Sequence, residues 1–136
     1  MQDRINSLAD PSGHLRPYQR ESSDNRQSTF IVGLAGWSFL DVFLFTILDE
    51  DRECLQKQGV VVEVFDIDDH SLEYDKLFAP LYDSRRAINP IIGYWQNGEL
   101  QWVDYSFVGS QRMLTSIGIP MERLLTLYPK NPTFSC

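Results

Sequence analysis

Asn89-Pro90-Ile91-Ile92-Gly93-Tyr94-Trp95-Gln96-Asn97-Gly98-Glu99-Leu100 is the stretch from which the fold of this chain is read. Asn97-Gly98 is the dipeptide favoured in a two-residue type I′ turn, because both central positions of that turn need a positive φ. The apolar runs on its two sides, Ile91 to Trp95 and Leu100 to Phe107, therefore predict an antiparallel hairpin. Further upstream, Val60-Val61-Val62-Glu63-Val64-Phe65-Asp66-Ile67 is mostly β-branched and is bounded by Gly59 and by Asp68-Asp69. Its near-continuous apolar character predicts a strand covered on both faces, as parallel strands are.

From Phe30 to Leu48 only Asp41 is charged, so a membrane-associated role for residues 30–48 has to be weighed. Asp41 would sit mid-span at about 2.5–3.5 kcal/mol on insertion scales, and the flanks lack basic anchors, so no transmembrane helix is expected. The segment divides instead into a β-prone run Thr29-Phe30-Ile31-Val32, a turn through Gly33 and Gly36, and a helix from Phe39 to Gln58. Gly59 is expected as that helix's left-handed stop. Ser38 followed three residues later by Asp41 matches a capping box, which gives both a structural role at the helix start. Ser71 to about Asp83 predicts a second helix with Leu72, Leu77, Phe78 and Leu81 inward, bent or divided at Pro80. Val108-Gly109-Ser110 opens a last helical region, restarted by Pro120 and carrying Met121, Leu124, Leu125 and Leu127.

Charge and composition bound the function. The chain of 136 residues carries a net charge of −7, and the eight charged residues before Ser28 cancel, so the excess acid lies in residues 28–136. An acidic surface repels phosphate backbones, and nucleic acid and anionic membranes are poor partners. Residues 1–28 are polar, with Pro11, Gly13 and Pro17 as breakers, and are expected as an extended or flexible segment. Residues 29–136 are expected to form one domain with enough apolar content for a core. Cys54 and Cys136 cannot make a disulfide scaffold, and no leader pattern opens the sequence. The expectation is a cytoplasmic or other reducing compartment, without a signal peptide or a prenyl anchor.

Strand, helix, strand, helix, hairpin and helix is a βαβαββα order, an α/β class with a central mixed sheet flanked by helices. From Phe30 to Leu127 it resembles the thioredoxin-like superfamily. Ala35-Gly36-Trp37 before a helix is similar to that family's approach to its Cys-x-x-Cys site. Asn89-Pro90 through Leu100 has the spacing of its cis-proline, strand and turn, and Val108-Gly109 falls where the family has a Val-Gly loop. The resemblance implies a cis Asn89-Pro90 bond and a client-binding groove at Trp37, Phe39, Leu40, Ile88, Asn89, Pro90 and Gly109. It also implies strand addition by an extended segment just before the proline. The thiols are missing: the alignment puts Ser38 and Asp41 where the two cysteines belong, and Val32 where the family keeps a buried acid. Thiol–disulfide exchange needs an attacking and a resolving sulfur, which Ser and Asp do not supply.

Other constellations are weaker. Ser38 at a helix start could bind a small thiol ligand such as glutathione, which makes a thiol-ligand protein or enzyme the alternative function. Cys54 reads as an inert buried thiol, since Glu50, Asp51 and Glu53 around it disfavour a thiolate. Asp66, Asp68, Asp69 and His70 suggest a metal cluster only on paper, and His14 and His70 alone support neither a zinc site nor a triad. No metal, cofactor or catalytic residue is assigned. The expected function is a redox-inactive interaction module, an accessory, scaffold or assembly subunit. Its protein partner would bind at the groove and by the N-terminal segment, and the membrane-associated reading ranks third.

Overall fold

Asn97 and Gly98 both take positive φ, at 52° and 80°, and close the hairpin. Its strands are β4 (Ile91–Gln96) and β5 (Glu99–Tyr105), antiparallel, with Tyr94 opposite Trp102 and an irregularity after Tyr94. The computed structural model describes residues 1–8, 10, 12–19, 27–78 and 88–126. Within them, β4 pairs antiparallel with β2 (Ser28–Leu34), and β2 pairs parallel with β3 (Val61–Asp66). A short strand β1 (Leu15–Pro17) adds in parallel to the other side of β3, giving one mixed sheet in the order β1-β3-β2-β4-β5.

That first strand departs from the expectation of a loose N-terminal segment. Helix α1 (Gln2–Asn6) buries Ile5, and Leu8 and Leu15 join the same core. Arg16 stands opposite Glu63 in the ladder, and its guanidinium lies 3.4 Å from the carboxylate of that fully buried residue. The Gln19 backbone N–H donates to the other oxygen at 3.0 Å. The N-terminal segment thus solvates a charge that β3 carries into the core, where an unpaired carboxylate would be prohibitively costly.

Alternation along the strands sends side chains to two faces. Phe30, Val32, Val62, Val64 and Ile92 meet Leu44, Leu48 and Leu55 from α2 (Phe39–Glu50) and α3 (Arg52–Gln58). Met113, Leu114 and Ile117 of α5 (Ser106–Ile117) and Leu124 of α6 (Glu122–Thr126) complete that core. Ile31, Phe65, Ile91 and Trp95 face the other way and pack with Phe78 of α4 (Ser71–Phe78). Gly33 and Gly93 lie on this second face, where the Trp95 ring occupies the space that a Cβ at Gly93 would need.

The long helix expected from Phe39 to Gln58 is two helices. Asp51 breaks it at φ −107°, ψ 36°, and is fully buried against Arg123, whose Nε donates to it at 3.1 Å. Gly59 takes the left-handed conformation, φ 67°, as expected. Residues 30–48 split into β2 and α2, and among the described residues no helix is long and apolar enough to cross a membrane. The part of the second helix expected at Pro80 and Leu81 lies outside the described residues, as does Leu127.

Candidate functional site

β2 ends at Leu34, and Ala35 to Ser38 turn the chain into α2. Trp37 and Phe39 stand on this turn, 64% and 82% exposed, with the Phe39 ring stacked at 6.1 Å on Phe43. On the next strand of the sheet the Asn89-Pro90 bond is cis and leads into β4. The Ser106 N–H donates to the Pro90 carbonyl at 2.8 Å, which brings the start of α5 beside the proline. Ser106 itself has φ 60°, and this tight entry leaves Tyr105, Phe107 and Val108 exposed.

The tie between the turn and the proline loop is Asp41. Its side chain is fully buried, one oxygen accepting the Ala35 N–H at 2.6 Å and the other the Asn89 amide at 2.9 Å. Burial pushes this carboxyl above the usual aspartate range, while the hydrogen bonds from Ala35, Asn89 and Ser38 act the other way. Ser38 occupies the N-cap position of α2 but makes no side-chain cap bond, and its own N–H bonds back to the Ala35 carbonyl. The capping-box assignment of Ser38 and Asp41 is therefore corrected. The S-x-x-D spacing is present and the Asp41 backbone amide bears on the carboxylate, yet its two oxygens also accept the Ala35 N–H and the Asn89 amide, and Ser38 gives no side-chain cap bond.

Three further placements differ from the sequence reading. Leu40 is half-buried and packs against the core cluster, so it is not an open anchor. Gly109 lies inside α5 and is buried, where an added Cβ would come within 2.8 Å of the Asp104 carbonyl carbon. It is a packing position, not a loop beside the groove. Ile88 and Asn89 are half-buried and Pro90 is buried, so what Pro90 offers at the surface is shape more than area.

Cys54 is buried but is disulfide-bonded, which corrects the expectation of a free thiol. The other cysteine of the sequence, Cys136, lies outside the described residues. Asp66 uses its carboxylate locally, accepting the Asp68 N–H at 2.9 Å in an Asx turn ahead of α4. Among the described residues no group of three or more His, Cys, Asp or Glu is placed to hold a metal ion.

A mixed sheet with a cis-proline entering its antiparallel strand, and an exposed tryptophan on the facing turn, invites comparison with solved structures. The oxidised thioredoxin of Plasmodium falciparum superposes with a TM-score of 0.53 at 14% identity, over 76% of this chain and 96% of that one. The fold is thioredoxin-like. Human ERp44 in its zinc-bound form gives 0.56 at 16% identity, over 76% of this chain but 30% of that one. A malarial protein gives 0.50 at 16% identity, over 68% of this chain and 96% of that one. No protein-family model and no curated protein sequence matches the chain. At these identities the likeness is one of thioredoxin-like architecture, and function has to be argued from the residues of this chain. Those residues include no Cys-x-x-Cys, since the only cysteines are Cys54 and Cys136.

What sequence reasoning missed at the site is the α5 entry. Tyr105, Phe107 and Val108 are exposed beside Pro90, but in the sequence they read as the end of a strand and the opening of a helix. The alternation Asp104-Tyr105-Ser106-Phe107 runs on past the end of the strand, so the only local signal is the adjacent pair Phe107-Val108.

Proposed function

We propose that this chain is a redox-inactive thioredoxin-like interaction module, an accessory or scaffold subunit whose docking face surrounds the cis Asn89-Pro90 loop. The observation that carries the reading is the exposure of Trp37 and Phe39 on a turn held to that loop by a buried carboxylate. Aromatic side chains left open to water are the usual anchors of interfaces, where they fill pockets on the partner. Tyr105, Phe107 and Val108 extend the apolar character to the far side of the proline.

The chemistry available at the face argues for binding over catalysis. Ser38 and Asp41 hold the ground where a redox enzyme of this fold needs sulfur, and the Asp41 oxygens are taken up by Ala35 and Asn89, with the Ser38 hydroxyl beside them. A glutathione-type ligand on Ser38 is disfavoured for the same reason: the hydroxyl sits against the Asp41 carboxylate, and a second anion there would be repelled. The experiment is affinity capture of partners with the whole chain, repeated with Phe39→Asp after its folding has been verified by circular dichroism. Loss of the captured partner supports the face, and undiminished capture places the interface elsewhere.

A further inference from the structure

Asp41 is the one charged residue between Phe39 and Leu48, and it is the point where three segments of the face meet. Its two oxygens are shared between two N–H donors, the Ala35 backbone amide and the Asn89 side-chain amide. We propose that Asp41 is a positioning residue that acts as a proton-responsive clamp, joining the Ala35 to Ser38 turn to the cis-proline loop when ionised and releasing the Asn89 side when protonated. The link from clamp to partner binding rests on the docking reading above; the clamp itself does not.

An ionised carboxylate accepts at both oxygens, and both neighbours then have what they need. A protonated carboxyl carries its hydrogen on one oxygen, which then accepts poorly, so one of the two N–H contacts weakens while the Ser38 hydroxyl can turn from donor to acceptor. Ala35 is fully buried, and its amide has no access to water, so opening that contact would leave an orphaned donor. Asn89 is only half-buried, and its amide can rotate to present its own oxygen. The contact that yields is therefore the one to the proline loop.

Among the described residues, no charged group shares a hydrogen bond with the carboxyl. The groups that bear on it are neutral: the Ala35 and Asp41 backbone amides, the Asn89 amide and the Ser38 hydroxyl. Segments 35–38 and 88–90 carry no charged side chain, and α2 has none other before Asp49. The Met1 amino group stands beside Gly36, on the same turn, and Asp104 closes against Gly109 at the start of α5. Asp83, Arg85 and Arg86, which precede the loop in sequence, lie outside the described residues. Desolvation then moves the titration upward, toward conditions the folded protein meets.

The test is a pH titration of the isotope-labelled whole chain followed by nuclear magnetic resonance, with no partner present. The Ala35 backbone amide, the Asn89 side-chain amide and the Trp37 indole N–H should move together with one midpoint above the ordinary aspartate value of about 3.9. The Asn89 signal should move most, and all three movements should vanish in Asp41→Asn. Should that variant fail to fold, the Asp41 carboxyl carbon of the wild type supplies the midpoint directly. Separate midpoints, a midpoint at or below about 3.9, or a stationary Trp37 indole would overturn the clamp. None of these outcomes depends on a partner, so failure of the docking face would be seen separately, in capture with Phe39→Asp.

Discussion

The Asn89 amide nitrogen lies 2.9 Å from Asp41 Oδ1, joining a residue just inside the first long helix to the residue ahead of the cis-proline, 48 positions on. In this chain one buried carboxylate fastens the turn before the helix to the residue ahead of the cis-proline.

A buried carboxyl with a raised pKa has a definite signature in stability. Between the unfolded value near 3.9 and its raised folded value, the folded state binds the proton more tightly than the unfolded chain does. This group's contribution is fully present below the unfolded pKa and is lost as pH rises through the folded pKa. Urea unfolding of wild type and Asp41→Asn across that window should show the wild type losing stability with rising pH relative to the variant. Parallel pH profiles would show that Asp41 is not buried as an acid.

Arg16→Ala should destabilise the fold by about 1–3 kcal/mol, because it removes one cation facing a fully buried Glu63, which keeps the Gln19 N–H. Arg16→Ala with Glu63→Leu should recover much of that loss. Denaturant melts of the two variants decide the matter, and a single variant within 0.5 kcal/mol or so of wild type would mean that water reaches the pair.

Gly93→Ala should cost about 1–3 kcal/mol, since the new methyl meets the Trp95 ring and the Phe78 edge on the second face of the sheet. The measured quantity is the midpoint of unfolding, and Trp95 fluorescence should shift with the displaced ring. A neutral substitution would show that this face has room to adjust.

Insulin reduction by the purified chain should not exceed that of a Cys54→Ser control. Neither position 38 nor position 41 offers a sulfur, and Cys54 is buried in α3. Turnover above the control would assign a redox role that the groove residues do not explain.

The fold was legible where a local rule coincided with a global one. Asn97-Gly98 demands a turn by its backbone freedom alone, and Val60 to Ile67 is too apolar for anything but a covered strand. Long-range pairing was not legible. Nothing near Asp51 announces that Arg123, 72 residues away, will hold it in a helix break. The first strand escaped notice because Leu15 is a lone apolar residue among polar ones, and its place comes from Arg16 finding Glu63 across the ladder. At the site, Trp37, Phe39 and the cis-proline were readable from the resemblance. Asp41 was read as a cap because the local spacing fits one, while its actual acceptor role depends on Asn89.

Affinity capture with the intact chain, side by side with Phe39→Asp and Trp37→Asp, tests the central claim most directly. Both residues are exposed, so their replacement should leave the circular dichroism and melting temperature near those of the wild type. Each folded variant should lose the partner, with a cost of about 2 kcal/mol or more in affinity, some thirtyfold, as expected of an aromatic anchor. Two folded variants that hold the partner at wild-type strength would contradict it.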